Sequence, residues 1–260
     1  MGVEAQRDFV EHMRWDDVAR RIAAGAAAIL PIGAGAKQHG LHLPLDTDRI
    51  QAEFLASKLA GRVDALVWPT LAYGHYPAFV DYAGSTSLSA ATFEAMVTGI
   101  ASEILRHGCR ALFVLDTGIS TRASVERALA RLDAGHALHL KIHDGPRYRS
   151  AAAALVRQGH GSHADELETS LMLAIAPEIV EMSRAEASPP IAQAVPGRLT
   201  PSDKTSPNYS RSGSFGDPTL ATLEKGEALL AAMLDDLAEQ TTSFLARQSS
   251  TTGRVRGAAS

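Results

Sequence analysis

Four short apolar runs, separated by stretches of helical periodicity, most limit what this 260-residue chain can fold into. The runs are AAAILPIG, ALVWPTLA, CRALFVLDTG and ALHLKIHD. The first three carry almost no polar alternation, as expected of strands buried on both faces. Such strands belong to parallel sheets covered by helices. The fourth alternates apolar and polar residues.

The intervening segments read as helices. In WDDVARRIAAG, Val18, Ala19 and Ile22 share a face and Gly25 ends the run. DTDRIQAEFLASKLAGR opens at Asp46 or Thr47. SAATFEAMVTGIASEILRHG has Ser89 as cap and Gly108 as stop. TRASVERALARLDAG, SHADELETSLMLAIAPEIV and TLATLEKGEALLAAMLDDLAEQTTSFLAR follow. The expected fold class is α/β: a three-layer α/β/α domain with a mostly parallel sheet, spanning residues 1–245, with 246–260 a flexible tail. Residues 188–217, rich in Pro, Ser and Gly, read as one long loop, either functional, as an arm or a lid, or disordered.

Hydrophobic residues make up 45% of the chain, enough for a buried core. A formal charge of −4 gives no concentrated basic face, so no nucleic-acid partner is expected. No apolar run approaches the roughly 18 residues of a membrane span, and the N-terminal residues show no apolar leader segment. One cysteine, Cys109, excludes an internal disulfide and fits a reducing compartment. These features lead to the expectation of a cytoplasmic protein.

The stretch LPIGAGAKQHGLHLPLDTD is where chemistry concentrates. A strand ends at Ile32, a glycine-rich turn follows, and His39, His42, Asp46 and Asp48 fall within ten residues. Open α/β sheets build their sites just past the carboxyl ends of their strands. Imidazole nitrogen with carboxylate oxygen suits zinc, manganese or iron, while histidines in such a loop more often serve as caps or surface residues than as ligands.

This stretch resembles the opening motif of the creatininase family, creatinine amidohydrolases, which reads roughly LPxGSxEQHGPHLPLxTD. Three further segments agree in order: GSTSLSAATF, HADELETSLML and GSFGDPTLATLEKGEALL. The resemblance implies hydrolysis of cyclic or linear amides at a paired-metal site. It also implies a small-molecule substrate and a homo-oligomer such as a hexamer. On these motifs His39 matches a histidine ligand and Asp48 the carboxylate that bridges both metals. His163 matches a histidine of the catalytic pocket, and Glu166 and Glu168 the acids after it.

The departures are specific. Lys37 stands where the resemblance places a glutamate ligand, and an ammonium has no lone pair to offer. DTGIST stands where NGHGGN or similar is expected, so Gly118 replaces a histidine and Ser120 a glutamate. His39 and Asp48 remain as metal ligands, for at most one divalent ion, zinc or manganese, or for none. The expected catalytic set is His163, Lys37, Asp48 and Glu166, with His75, Tyr76, Asp116 and Ser120 around the substrate. Lys37 is read as supplying the positive charge that Asp48 would otherwise lack. Two functions fit: an amidohydrolase-like enzyme acting on a small polar, cyclic amide or lactam, or a non-catalytic binding or regulatory relative.

Overall fold

The structure, a computed structural model, describes residues 7–132, 135–188 and 197–257, with side chains through residue 248. Its elements in chain order are α1 (Trp15–Ala23), β1 (Ala27–Ile32), α2 (Thr47–Ala60), β2 (Ala65–Val67), α3 (Ala90–Arg106) and β3 (Leu112–Asp116). These are followed by α4 (Arg122–Leu129), β4 (Ala137–Lys141), α5 (Pro146–Leu155), α6 (Glu166–Ile175) and α7 (Leu223–Gly257). The four strands are all parallel in the order β2-β1-β3-β4. Every residue of β1, β2 and β3 is buried, as continuous apolar runs require.

Alternate strand residues feed two cores. Ala27, Ile29, Phe113, Leu115 and Leu140 pack with α2 through Leu55 and Leu59, and with α7 through Leu229, Met233 and Leu237. Ala28, Leu30, Ile32, Leu112 and Val114 pack with Phe93, Val97 and Ile104 of α3 and Val125 of α4. The result is the expected three-layer α/β/α arrangement. Ser89 caps α3 by accepting from the Thr92 amide at 3.1 Å, and Gly108 leaves that helix at φ +89°.

Several elements differ from the sequence reading. Apolar periodicity does not mark α5: its alanine run has no apolar stripe, and only Tyr148 is buried. Its start is nonetheless marked by Pro146 at the first turn, where a missing N–H costs nothing. Helix α1 buries none of its residues; Trp15, Val18 and Ile22 instead line an open groove with Trp68. Helix α7 continues past residue 245 to Gly257, into the segment expected to be a tail; residues 258–260 lie outside the described residues.

The long loop also partly escapes description, since 189–196 lie outside. Its described part packs beside the carboxyl end of the sheet. The Leu199 amide donates to Ala78 O, Tyr82 Oη to Ser210 O at 2.6 Å, and Gln38 Nε2 to Gly213 O at 2.9 Å. Among the described residues no helix is long and apolar enough to cross a membrane.

Candidate functional site

Strand β1 delivers the chain to the site through Gly33. A Cβ there would lie 2.3 Å from Asp48 O, so only glycine lets the loop pass the start of α2. Asp48 stands in the first turn of α2, where the positive end of the helix dipole favours a carboxylate. Lys37 Nζ reaches Asp48 Oδ2 at 2.6 Å, and the two side chains are 7% and 5% exposed. The Lys37 ammonium also lies 5.1 Å from the centre of the Phe79 ring.

His39 continues the network. Its Nδ1 lies 2.8 Å from Lys37 O, a carbonyl that can only accept, so Nδ1 carries hydrogen. Its Nε2 lies 3.1 Å from Asp48 Oδ1 and 3.7 Å from Glu168 Oε1. His163 Nε2 donates to Gln38 O at 2.8 Å, which turns Nδ1 toward Glu168 Oε2 at 3.7 Å. The His39 and His163 rings are 5.0 Å apart.

Burial by itself would raise the Asp48 carboxyl, but the Lys37 ammonium and then His39 outweigh it and hold Asp48 well below the usual carboxylate range. Burial raises Glu168, with the Asp48 charge adding to it. Burial, Lys37 and His39 drive His163 well below its ordinary value, so its ring is neutral at pH 7.

Helix α6 decides which acid faces this network. Asp165 is its N-cap and accepts from the Leu167 and Glu168 amides, each at 3.0 Å. Glu168, three residues on, folds back to accept from the Ala164 amide at 2.6 Å, in the manner of a capping box. Ala164 itself has φ +46°, the one non-glycine residue with positive φ among those described. A strained backbone beside a site residue persists only where its surroundings enforce it.

Glu166, expected to be catalytic, is placed elsewhere. It pairs with Lys225 Nζ at 2.5 Å and accepts from the Arg157 and Gln158 amides at 2.8 and 2.7 Å. Two helical positions turn the chain by about 200°, so Glu166 and Glu168 point apart. Glu166 braces the fold and Glu168 enters the site.

The structure brings Lys37, Asp48, Tyr76, Asp116 and Ser120 to the wall of one narrow cleft. That cleft has about 10 Å³ of free space, room for about one water. Asp116 is spoken for: it accepts from the Gly118 amide, Thr121 Oγ1 and His139 Nε2 at 3.0, 2.7 and 3.1 Å. Tyr76 Oη donates to Ala36 O, and burial pushes it up to about 12. His75 is not part of the cleft wall; its Nδ1 lies 3.0 Å from Leu88 O. His42 Nε2 lies 2.8 Å from Thr169 Oγ1, tying the loop to α6. A second, larger cavity of about 340 Å³ opens on the Glu168 side.

The family model for creatinine amidohydrolase matches residues 11–241. The chain belongs to the creatininase family. A creatinine amidohydrolase of Pseudomonas putida is 28% identical over 256 residues, covering 89% of this chain and 95% of that protein. A mycofactocin precursor peptide peptidase of Mycobacterium ulcerans is 31% identical over 220 residues, covering 80% and 81%. A solved creatininase described by its manganese superposes with a TM-score of 0.78 at 27% identity, over 90% of this chain and 96% of that one. A substituted creatininase of the Zn-Zn type gives 0.74 at 27%, over 89% and 96%.

The residues present do not fit a metal pair of the creatininase kind. An ammonium meets Asp48 Oδ2 where a cation would sit. Gly118 offers no side chain, and a Cβ there would fall 2.5 Å from Thr121 Oγ1. Ser120 offers an exposed hydroxyl. A single ion has a better match: His39, His163 and Glu168 each present a ligand atom, all within 4.8 Å of one another. His39 Nε2 lies 3.7 Å from Glu168 Oε1, and His163 Nδ1 lies 3.7 Å from the other oxygen, Oε2. This set differs from the expected His39 and Asp48, because both Asp48 oxygens already face Lys37 and His39.

Proposed function

We propose that this creatininase-family chain is an enzyme acting on the C–N bond of a small polar amide or lactam, with the Lys37 ammonium in the place of one cation of the family's site. The Lys37–Asp48 ion pair carries this reading: charge is retained where metal ligands are lost, as a repurposed site requires. Removing cations without replacement would leave buried Asp48 with His39 alone for a partner, at a cost of several kcal/mol.

Each residue then has a task. Glu168, raised by burial, can take a proton from an attacking water and return it to the leaving nitrogen. Neutral His163, fixed by donating Nε2–H to Gln38 O, keeps an Nδ1 lone pair 3.7 Å from Glu168 Oε2, where it can accept from that carboxyl once Glu168 has taken up the proton. The Lys37 charge, felt at Glu168, favours an oxyanion developing there without touching the substrate. Asp48 and His39 hold that charge in place. An ion held by His39, His163 and Glu168 would add Lewis acidity toward a substrate carbonyl.

The test is turnover of creatinine, hydantoin, 2-pyrrolidinone and short peptide amides, followed by proton NMR. Hydrolysis of at least one is expected, with Glu168→Gln slowing it about 10²-fold or more. Saturable binding of panel compounds without turnover would replace this reading by a binding or regulatory protein. The closed cleft at Lys37 gives that second reading its support.

A further inference from the structure

The cavity of about 340 Å³ beside Glu168 falls at the lower end of the range for small-ligand pockets. Its walls come from the segment after β4, the start of α5, the 156–162 loop and the start of α6. Most polar groups in those walls are already committed. Gln158 donates to Asp165 Oδ2 at 2.6 Å and accepts from the Glu166 and Asp217 amides. Asp165 is spent on capping α6. The loop is pinned from behind by Glu166 through the Arg157 and Gln158 amides. This is a preformed wall.

Glu168 and His143 are among the groups facing the cavity that are not committed in this way. Glu168 keeps Oε1 free of any backbone donor and faces His39 only at 3.7 Å. His143, just past β4, packs its ring on Tyr148 at 5.4 Å, and its Nδ1 is buried without a hydrogen-bond partner. That nitrogen is closed to the cavity as the ring stands, so a ligand meets it only once the ring turns. Nearby Arg122 repeats the pattern: it pairs with Asp144 through Nη1 while its Nε stays buried and unpartnered.

We propose that this cavity, rather than the closed cleft at Lys37, receives the substrate, with an amide N–H toward Glu168 and a carbonyl or carboxylate oxygen hydrogen-bonded by His143. The site therefore selects small amides that carry a second acceptor group, and His143 is the residue that reads it. Turning the ring about its own axis offers either nitrogen to such an oxygen. The inference deepens the function proposed above and rests on it for the identity of the reacting end.

N-acetylglycine carries both required groups, and acetamide lacks the second acceptor. In an NMR titration of the full chain, N-acetylglycine should shift the His143 imidazole signals saturably; those signals are assigned by their absence in His143→Leu. Affinity should fall about tenfold or more in His143→Leu, be largely kept in His143→Gln, and be weaker for acetamide than for N-acetylglycine. No saturable shift at His143, or equal affinity in His143→Leu, would overturn the pocket. Binding as described without turnover of any panel amide would leave the pocket standing and remove hydrolysis. Turnover untouched by His143→Leu would keep the enzyme and remove this pocket.

Discussion

Lys37 Nζ and Asp48 Oδ2 stand 2.6 Å apart at the first turn of α2, both nearly closed to solvent. The distance is that of a charge-assisted contact. Around it the carboxylate loses no partner: Lys37 holds one oxygen and His39 the other. On the function proposed above, this side-chain cation takes the place of one metal ion of the family's site.

Removing that cation should be expensive. Lys37→Ala is expected to destabilise the protein by about 3–5 kcal/mol, toward the lower end because His39 remains on Asp48. Lys37→Met keeps the stem over Phe79 and separates lost charge from lost packing. Urea unfolding at pH 7 reads both. Stability equal to the parent in both variants would remove the ion pair from the account.

The same pair fixes a pH dependence. Asp48 titrates below its ordinary 3.8 in the folded protein, so its contribution is fully present above the unfolded value and is lost as pH falls through the lower folded one. In Lys37→Met burial is no longer opposed by the ammonium. The stability gap between parent and variant should therefore narrow as pH drops from about 5 toward 3. Glu168 works in the opposite sense, costing stability as pH rises through its raised value, and more so in Lys37→Met, where the Lys37 charge no longer lowers it; this narrows the gap at low pH in the same direction. A gap that is constant or widens over that range contradicts the assignment.

Glu166 yields a structural prediction. Glu166→Gln leaves Lys225 without its carboxylate and weakens the hold on the 156–162 loop. A loss of about 3 kcal/mol is expected, together with faster amide exchange at Arg157 and Gln158. A change within about 0.5 kcal/mol, the scale of an ordinary surface substitution, would mean the brace carries no weight.

The fold was legible because β1, β2 and β3 are buried on both faces and show it as unbroken apolar runs. Helix α5 was not, because a helix that buries only Tyr148 needs no apolar stripe. Helix α1 has the stripe, yet lays it in an open groove, so periodicity revealed the helix and not its partner. At the site, the unusual Lys37 was visible as a substitution in a motif, and its charge pointed to Asp48. Glu166 and Glu168 could not be told apart in one dimension. Their roles depend on where α6 starts, and Asp165 sets that start through its cap. The cavity at His143 joins segments far apart in sequence, and only the folded chain brings them together.

The central claim is that Lys37 stands in for a metal ion, and metal content tests it most directly. The parent protein, purified after growth with added zinc and manganese, should contain at most one equivalent of divalent metal per chain by elemental analysis. Lys37→Glu should not raise this to two, because Gly118 and Ser120 still provide no histidine or carboxylate. Two equivalents per chain in the parent protein would contradict the account.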